Sequence, residues 1–322
     1  MTLLDVRDLH VHFPVRGAAF TRPAILRAVD GVSLSVDRGE IVGVVGESGS
    51  GKTSLGRAIL RLVEPSSGSI HFDGTDLAGL SPRAMLPFRR RLQAVFQDPA
   101  GSLNPTMTIG AAIGEALAIH RIGDRRDYAA RVAVLLERVG LPADSARRLP
   151  HALSGGQRQR VGIARALAVG PDLIIADEAV SALDVSVQAQ IVNLLGDLRA
   201  EFGLAMLFIA HDLAVVEHLC DRVVVLYLGR VMESGTVDQV FGHARHPYTR
   251  ALIDAAPRLG PRRARTVLGG EPPSPIAPPS GCVFRTRCPR AIDACAEGVP
   301  PLTGAAGHLA ACIRQDEMAG AG

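Results

Sequence analysis

Residues 41–53 read IVGVVGESGSGKT, and this stretch decides the fold. Its first part is rich in Ile and Val and predicts a buried strand that ends at Gly46. The following GESGSGKT matches the pattern G-x-x-x-x-G-K-[ST], and helical spacing begins at Thr53. Glycines in such a loop let successive backbone N–H groups point at phosphate oxygens, and the helix N-terminus adds positive potential. The order of strand, glycine-rich loop and helix therefore predicts a phosphate site for a nucleotide.

The loop also contains the only lysine of the chain. Lysine and arginine together number 35, and all but Lys52 are arginine. A lysine ammonium can reach the β- and γ-phosphates as a point charge, and the Thr53 hydroxyl can ligate Mg²⁺. The alternative is a glycine-rich turn that matches by chance, and the unique lysine with the correct flanks argues against it. The predicted nucleotide contacts are Gly46, Glu47, Ser48, Gly49, Ser50, Gly51, Lys52, Thr53 and Ser54.

Composition limits the kind of protein that this chain can be. At 322 residues it is long enough for about two domains, or for one large domain with an appendage. Hydrophobic residues make up 47% of the chain, which excludes wholesale disorder. Tryptophan is absent and the net charge is only +3, so we expect no nucleic acid among the partners. Neither an apolar run of about 18 residues nor a secretory signal is visible, which predicts a cytoplasmic location.

The order of the elements predicts an α/β fold. Strand-like segments alternate with helical patterns, which is typical of a largely parallel sheet. Residues 98–105, DPAGSLNP, indicate an exposed loop, and residues 106–170 indicate a wholly helical region. After residue 257 the chain becomes dense in Pro, Gly and Arg, as a linker is. Further strands are predicted at 3–13, 32–36, 93–97, 173–176, 205–209 and 223–228, and further helices at 186–200 and 212–219.

Two adjacent acids follow one of these strands. The segment 173–178 reads LIIADE, so a buried strand ends at Asp177 and Glu178. An apolar strand followed by acids is usually just a strand that meets solvent. Together with the phosphate loop, the pair predicts that Asp177 helps to hold Mg²⁺ and that Glu178 polarises a water for attack on the γ-phosphate.

Four more motifs complete a set. Residues 153–157 read LSGGQ, residues 181–184 read SALD, Gln97 ends a predicted strand, and His211 follows another. In this order, the set resembles the motifs of an ATP-binding cassette (ABC) ATPase. The resemblance covers roughly the first 255 residues. It implies a P-loop NTPase cassette with a mostly parallel sheet core, a β subdomain and a helical insertion at about 98–170.

The resemblance also implies a role for each motif. The LSGGQ signature would cap the γ-phosphate of ATP held by the opposite subunit, so hydrolysis would require a dimer of cassettes. His211 would orient the attacking water with Glu178, Gln97 would link the site to the helical insertion, and Asp184 would cross the dimer interface. The implied catalytic residues are Glu178, His211 and Gln97, the implied Mg²⁺ ligands are Thr53, Gln97 and Asp177, and the further nucleotide contacts are Asp177, Ser154, Gly155, Gly156, Gln157 and Asp184.

Two positions depart from the family pattern. The residue after the catalytic glutamate is usually proline, whereas here it is Ala179. Alanine at this position removes no ligand, so we expect it to change the rate of ATP hydrolysis rather than to abolish hydrolysis. The adenine-stacking aromatic expected before the phosphate loop has no clear counterpart near residues 23–25, and Phe20 is the nearest aromatic.

Other segments favour one branch of the family. The stretches QDPAGSLNP at 97–105, DEAVSALDVS at 177–186, HPYTR at 246–250 and EPPSPIAPPSGCVFRTRCP at 271–289 resemble the ATPase subunits of oligopeptide and dipeptide importers. HPYTRALI is also a plausible helix start with proline near its first position. The resemblance implies a cassette at 1–257, a linker at 258–280 and an importer-type extension at 281–322.

This branch implies a function and partners. The chain would hydrolyse ATP to energise import of di- or oligopeptides, at the cytoplasmic face of the membrane as a peripheral subunit. Its partners would be a second ABC ATPase subunit, identical or related, and two membrane permeases, with an extracytoplasmic peptide-binding protein acting indirectly. The alternatives are the same role for nickel or opines, or a soluble ABC ATPase outside transport.

Cysteines are concentrated in the extension. Cys282, Cys288, Cys295 and Cys312 are separated by five, six and sixteen residues, whereas Cys220 stands apart beside a predicted strand and is expected in the core. Four buried thiols are one interpretation. A zinc site usually has closer cysteine pairs, which are absent. Because Cys288 precedes a proline, as the last cysteine of ferredoxin-type runs does, and similar importer tails carry such clusters, we expect a [4Fe–4S] cluster.

Overall fold

The computed structural model describes residues 1–15, 24–181, 183–256 and 269–319. Its strands are β1 (Thr2–Val15), β2 (Ala24–Asp37), β3 (Ile41–Val45), β4 (Ser67–Phe72), β5 (Thr75–Asp76), β6 (Leu92–Val95), β7 (Leu173–Asp177), β8 (Ala205–Ala210), β9 (Arg222–Tyr227), β10 (Arg230–Thr236), β11 (Thr303–Ala305) and β12 (His308–Ala310). Its α-helices are α1 (Lys52–Ile59), α2 (Leu86–Arg91), α3 (Pro99–Ser102), α4 (Ile109–Ile119), α5 (Tyr128–Arg138), α6 (Gly155–Leu167), α7 (Val185–Phe202), α8 (Leu213–Leu219), α9 (Val237–Gly242), α10 (Pro247–Ala255) and α11 (Gln315–Ala319). Short 3₁₀ helices lie at Arg125–Asp127, Ala143–Arg147, Pro150–Ala152 and Asp293–Ala296.

The chain divides into two compact units. The first is made of Met1–Asp37, Ile41–Gly79 and Ala210–Gly322, and the second of Arg38–Glu40 and Leu80–Ile209. The first unit therefore contains the phosphate loop and the cysteine-rich segment, and the second contains the acidic pair and the LSGGQ signature.

An antiparallel sheet forms one layer of the first unit. Its strand order is β2-β1-β4-β5. Buried apolar side chains of β1 alternate in two stretches, Leu4 with Val6 and Leu9 with Val11, and a register shift separates the two stretches. Both predicted strands of this region are confirmed but are longer than expected, because the pairing of β1 with β2 continues to Val15 and Ala24.

The first unit also contains the strand that leads into the phosphate loop. β3 pairs in parallel with β9, and all five residues of β3 are buried. β9 then pairs antiparallel with β10, which pairs with the short hairpin of β12 and β11. The expected mostly parallel sheet is therefore mixed. The sequence did not predict β10 or the hairpin, because β10 has glutamate, serine and glycine at its centre.

The second unit combines parallel strands with the helical region. β6, β7 and β8 pair in parallel, and the helices from α2 to α6 lie between β5 and β7 in the chain. The strand predicted at 93–97 is Leu92–Val95, so Gln97 lies two residues beyond it. The predicted loop at 98–105 contains the one-turn helix α3. Within the described parts of the chain, no helix is both long and apolar enough to cross a bilayer.

Candidate functional site

The phosphate loop has a backbone shape that only glycine can adopt at its end. Gly51 has φ +102°, and a Cβ at this position would lie 2.1 Å from the carbonyl oxygen of Ala28 in β2. The loop is fixed to neighbouring chain by the N–H of Gly229, which donates to the carbonyl of Ser50 at 2.8 Å. The sequence GESGSGKT thus folds against β2 and the β9–β10 turn.

Lys52 begins helix α1 and crosses the loop. Its side chain is 5% exposed, and its Nζ donates to the carbonyl oxygens of Gly46 at 2.7 Å and Glu47 at 2.9 Å. The residue before α1 is Gly51, which has no side chain that could accept a hydrogen bond from the first turn of the helix. Backbone N–H groups at a helix start and a lysine ammonium are the donors that a polyphosphate needs. Thr53, half-buried, lies in the first turn of the helix.

Glu47 is held by residues from the far end of the chain. Arg287 donates two hydrogen bonds to its carboxylate, from Nη1 to Oε2 at 2.7 Å and from Nη2 to Oε1 at 3.1 Å. The N–H of Glu47 donates to the hydroxyl of Tyr248 at 2.9 Å. These bonds to Glu47 raise the pKa of the Arg287 guanidinium above its usual value. The sequence did not single out Arg287, although it lies in the importer-like tail.

An aromatic cluster surrounds this contact. The ring centroids of Tyr227 and Tyr248 are 4.7 Å apart, and each lies 5.3 Å from that of Phe284. All three side chains are almost completely buried. Burial raises the pKa of the Tyr248 hydroxyl above its usual range, so the group stays protonated at neutral pH. Through this cluster, Tyr248 of the HPY segment packs against Phe284 of the CVF segment.

His246 begins helix α10 in the way that the sequence suggested. Its Nδ1 accepts from the N–H of Tyr248 at 3.1 Å, and Pro247 follows at the first helical position. Burial lowers the pKa of His246 to about 4, so the ring is neutral. The backbone N–H of His246 donates to the carboxylate of Glu233, which belongs to β10 and is fully buried. The same carboxylate lies 2.7 Å from the ring Nε2 of His308. Nothing in the sequence pattern singles out Glu233.

The acidic pair lies at the carboxyl end of β7. Asp177 is the last residue of this strand and is 7% exposed. Glu178 follows with φ +49°, a left-handed conformation that is uncommon for a residue other than glycine. Its N–H donates to Ile209 in β8, and its carbonyl accepts from the Ser181 hydroxyl at 3.0 Å. Such local strain is frequent at functional sites.

The signature is a self-contained helix start. Ser154 Oγ accepts from the N–H of Gln157 at 3.3 Å, and the side chain of Gln157 accepts from the N–H of Ser154 at 3.0 Å. This is a capping box at the N-terminus of α6. A Cβ at Gly156 would lie 2.4 Å from Val187 Cγ1 of α7. The exposed Gly155 completes a helix N-terminus that can face an anion.

Asp184 caps the neighbouring helix. Its Oδ1 accepts from the N–H of Val187 at 3.0 Å and from the hydroxyl of Ser186 at 2.7 Å. These bonds, the backbone one first, lower the pKa of Asp184. The residue therefore has a structural role at the start of α7, in addition to the interface role expected for it.

The remaining predicted residues are placed as follows. Gln97 and His211 are both exposed, beyond the ends of β6 and β8 respectively. Phe20, the candidate for adenine stacking, and Ala182 of the SALD motif lie outside the described residues. The structure groups the predicted residues by unit: the phosphate loop and His211 in the first, and Gln97, the acidic pair, the signature and Asp184 in the second.

The four clustered cysteines line one cavity that is partly open to solvent. Cys282 N–H donates to the carbonyl of Cys295 at 2.8 Å, which joins the two halves of the segment. Burial raises the pKa of Cys282 to about 11 and also raises the pKa values of Cys288 and Cys312. Cys220 is buried, as expected.

A second group of possible metal ligands lies in the antiparallel sheet. One ligand atom from each of His10, His12 and Asp30 falls within 4.8 Å of the other two. Arg230 donates to Asp30 at 2.6 Å, and Arg27 is 4.0 Å away. Two guanidinium groups beside one carboxylate disfavour a divalent cation there, so we interpret the group as an ion-pair network.

Comparison with family models identifies two matching regions. Residues 29–181 match the ABC transporter model, and residues 232–295 match the model described as oligopeptide/dipeptide transporter, C-terminal region. The second match spans the HPY segment and three of the four clustered cysteines.

Curated relatives cover nearly the whole chain. A protein of Brucella ovis named as a peptide import ATP-binding protein is 56% identical over 98% of both chains. The oligopeptide transport ATP-binding protein OppF of Escherichia coli is 49% identical over 98% of this chain and 97% of its own length. The dipeptide transport ATP-binding protein DppF of Escherichia coli is 46% identical over 98% of this chain and 95% of its own length.

Solved structures agree with the fold. The ATP-binding cassette MJ0796, in a dimeric post-hydrolysis state with ADP and Pi, matches with a TM-score of 0.66 at 29% identity, over 73% of this chain and 99% of its own. The protein cbiO1 of Clostridium perfringens, part of the transporter complex cbiONQ, matches with a TM-score of 0.64 at 28% identity, over 75% of this chain and 91% of its own. The predicted class of ABC-type ATPase is confirmed, and the chain belongs to the oligopeptide/dipeptide branch of the ABC transporter ATP-binding subunits.

Proposed function

We propose that this chain hydrolyses ATP to energise the import of di- or oligopeptides through separate membrane permeases. One observation carries the proposal: the importer-type C-terminal region contacts the phosphate loop itself, through Arg287 and Tyr248. The names of the relatives, which include dipeptide and oligopeptide transport proteins, support the same substrate class. The alternatives of nickel, opines or a soluble role outside transport remain outcomes of the test below.

The mechanism begins with the phosphate loop. Its backbone N–H groups and Lys52 hold the β- and γ-phosphates, and Thr53 offers a hydroxyl ligand. Mg²⁺, when bound, neutralises charge that develops on the phosphates during transfer. Thr53, Asp177 and Gln97 are oxygen ligands of the kind that this cation prefers, and Asp177 ends its strand almost fully buried.

Hydrolysis requires a base and an orienting group. Glu178 accepts a proton from the attacking water, and its backbone lies in the left-handed region directly after β7. His211 orients the same water and contacts the γ-phosphate. Each of the two residues follows the carboxyl end of a strand, a position at which α/β proteins commonly bind ligands.

The signature completes a second cassette rather than its own. The capped N-terminus of α6 offers backbone N–H groups and the Ser154 hydroxyl to a γ-phosphate. MJ0796 has been solved as a dimer, which supports the pairing of cassettes. We place a related second ATPase subunit opposite this chain, with Asp184 at the interface. Two permeases and an extracytoplasmic peptide-binding protein complete the importer, and the chain lies at the cytoplasmic face as a peripheral subunit.

The spacing of the four cysteines favours a group larger than one metal ion. In a tetrahedral zinc site, Zn–S bonds of about 2.3 Å place the sulfur atoms roughly 3.8 Å apart. Among the described residues, no three of the four sulfur atoms lie within 4.8 Å of one another. The four thiols nevertheless surround one cavity. We assign Cys282, Cys288, Cys295 and Cys312 as ligands of a [4Fe–4S] cluster, which would cross-link the segment and supply one-electron redox chemistry.

This assignment has a direct test. The protein is purified without oxygen, and iron, sulfide and visible absorbance are measured for wild type and for Cys288→Ser. Cys220→Ser is the matched control, since that thiol is buried in the core. We expect four iron atoms per chain in wild type and in the control, and a loss in Cys288→Ser. One zinc atom per chain, or no metal in wild type, would contradict the assignment.

The import function is tested by peptide uptake. A strain that lacks this protein is complemented with wild type or with Glu178→Gln, and uptake of labelled dipeptides and longer peptides is followed. We expect wild type alone to restore uptake. Normal uptake in the uncomplemented strain, with a defect for nickel or an opine instead, would move the assignment to that solute.

A further inference from the structure

The carboxylate of Glu47 presents a problem for a phosphate-binding loop. Glu47 is the second residue of the loop and carries the same sign of charge as the nucleotide. A carboxylate turned towards the phosphates would weaken their binding by like-charge repulsion. In the structure this carboxylate is turned to Arg287 instead, with both oxygens engaged.

The pair formed by Arg287 and Glu47 has the burial and the geometry of a strong ion pair. The Arg287 side chain is only 7% exposed and that of Glu47 is 27% exposed, so solvent screens the pair weakly. A guanidinium matches a carboxylate through two parallel N–H···O bonds, the stronger kind of charge-assisted pairing. Tyr227 supports the guanidinium, with its hydroxyl 3.4 Å from Nη1.

Glu47 is fixed at three points. Its side chain is held by Arg287, its N–H by Tyr248 and its carbonyl oxygen by Lys52. The same ammonium of Lys52 that would contact the nucleotide therefore depends on where the Glu47 carbonyl lies. Movement of Glu47 would displace both the loop backbone and the lysine.

The position of Arg287 is set by the turn that carries it. We call residues 281–288 the C-terminal turn. Within it, Arg287 N–H donates to the carbonyl of Phe284 at 3.0 Å, and Phe284 is completely buried among the aromatic rings. Cys282 and Cys288 lie near the two ends of the turn, and the backbone N–H of Cys282 donates a hydrogen bond to the carbonyl of Cys295. The turn thus joins the cysteine cavity to the phosphate loop.

We propose that the C-terminal turn is part of the nucleotide site, with Arg287 as a positioning residue that holds the phosphate loop for ATP through Glu47. The inference rests on the proposed function of the loop. It predicts that nucleotide affinity depends on a residue 240 positions away from the loop. It also predicts that a substitution in the cysteine segment weakens ATP binding more than it slows the chemical step.

The test uses the purified full-length protein and a fluorescent ATP analogue. Arg287→Ala should raise the Kd for the analogue and the KM for ATP about tenfold, with a much smaller change in kcat, because the loop holds ground state and transition state alike. Arg287→Lys should be intermediate, since an ammonium cannot form the fork. The matched control is Arg7→Ala, which removes an exposed arginine that pairs with the carboxylate of Asp5 in β1, and it should change both constants less than about twofold.

A double-variant cycle separates positioning from general stability. If Arg287 acts through Glu47, the combined Glu47→Ala and Arg287→Ala variant should bind ATP no more weakly than the worse single variant. A lower Tm with an unchanged KM would overturn the inference, and so would additive losses. Should Arg287→Ala not fold, Arg287→Lys and Glu47→Gln carry the same comparison. Lys52→Ala serves as a reference: if it binds ATP normally, the proposed site itself is wrong, whereas a loss there with normal Arg287→Ala refutes only this inference.

Discussion

The phosphate loop and the signature both offer a helix N-terminus to an anion, but they are held in different ways. The signature is fixed by a capping box formed within residues 154–157. The phosphate loop has no side-chain cap and is fixed by Arg287, Tyr248 and Gly229, which come from the last third of the chain. The signature is therefore held by four consecutive residues, whereas the phosphate loop is held by residues that are distant in the chain and belong to the same folded unit.

The largest effects should come from the residues that contact ATP, and they should separate binding from turnover. Lys52→Ala should abolish ATP binding, whereas Glu178→Gln should keep binding and lose about a hundredfold or more in kcat. The measurements are equilibrium binding and steady-state hydrolysis on the same preparations. A Glu178→Gln protein as active as wild type would place the base elsewhere in the second unit.

Glycine variants compare the two helix starts directly. Gly51→Ala forces a Cβ into the backbone oxygen of Ala28 at 2.1 Å and also keeps a left-handed φ, so we expect a loss of about 3 kcal/mol or more in the free energy of unfolding. Gly156→Ala meets only the Val187 side chain at 2.4 Å and should cost about 1–2 kcal/mol.

The control for this pair is Gly49→Ala. Gly49 has φ +78° but nothing within 4 Å of its ideal Cβ, so it measures conformational strain alone, about 1 kcal/mol. Urea denaturation measures all three. A Gly51→Ala loss no greater than that of Gly49→Ala would show that the loop can move away from β2.

His246 should give the first unit a pH dependence. Its pKa is about 4 in the folded protein and 6.5 in the reference state, so the unfolded chain binds a proton that the folded chain rejects between these values. Stability is therefore complete above pH 6.5 and falls as pH decreases towards 4, with a slope of up to about 1.4 kcal/mol per pH unit. His246→Asn keeps an acceptor for the N–H of Tyr248 and should flatten this slope.

Urea unfolding at pH 7.5, 6.5 and 5.5 measures the slope. The exposed His243, three residues away, gives the matched control His243→Asn, which should keep the slope of wild type. Identical slopes for wild type and His246→Asn would show that another group is responsible.

The smallest effect should belong to the capping box. Ser154→Ala removes the bond to the N–H of Gln157 and should lower the free energy of unfolding by about 1 kcal/mol. Gln157→Ala removes only the return bond and should cost less. Hydrogen exchange of the first turn of α6 locates the loss, and faster exchange throughout the second unit instead would contradict a local role.

Much of the fold could be predicted because its central strands are continuous apolar runs. β3, β7, β8 and β9 are buried along their length, so their side chains alone indicate them. β10 could not be predicted in the same way. Its central Glu233 is fully buried, and the groups that satisfy it come from Arg245, His246 and His308. A burial that depends on distant partners leaves no periodic signal.

The same distinction applies to the site. The phosphate loop, acidic pair and signature are short motifs of consecutive residues, and each could be read from the sequence. The pairing of Glu47 with Arg287 joins two residues 240 positions apart, and neither residue alone indicates the other. The tail motif pointed to the right segment, but not to its contact with the loop.

The long separation of Glu47 and Arg287 also matters while the chain is being made. At roughly 5–20 residues per second, a ribosome needs about 12–48 s to synthesise the intervening 240 residues. During that interval the nascent chain has a complete GESGSGKT loop without the arginine that holds it. If Arg287 positions the loop as proposed, a truncated product that ends before residue 287 should bind ATP more weakly than the full-length protein.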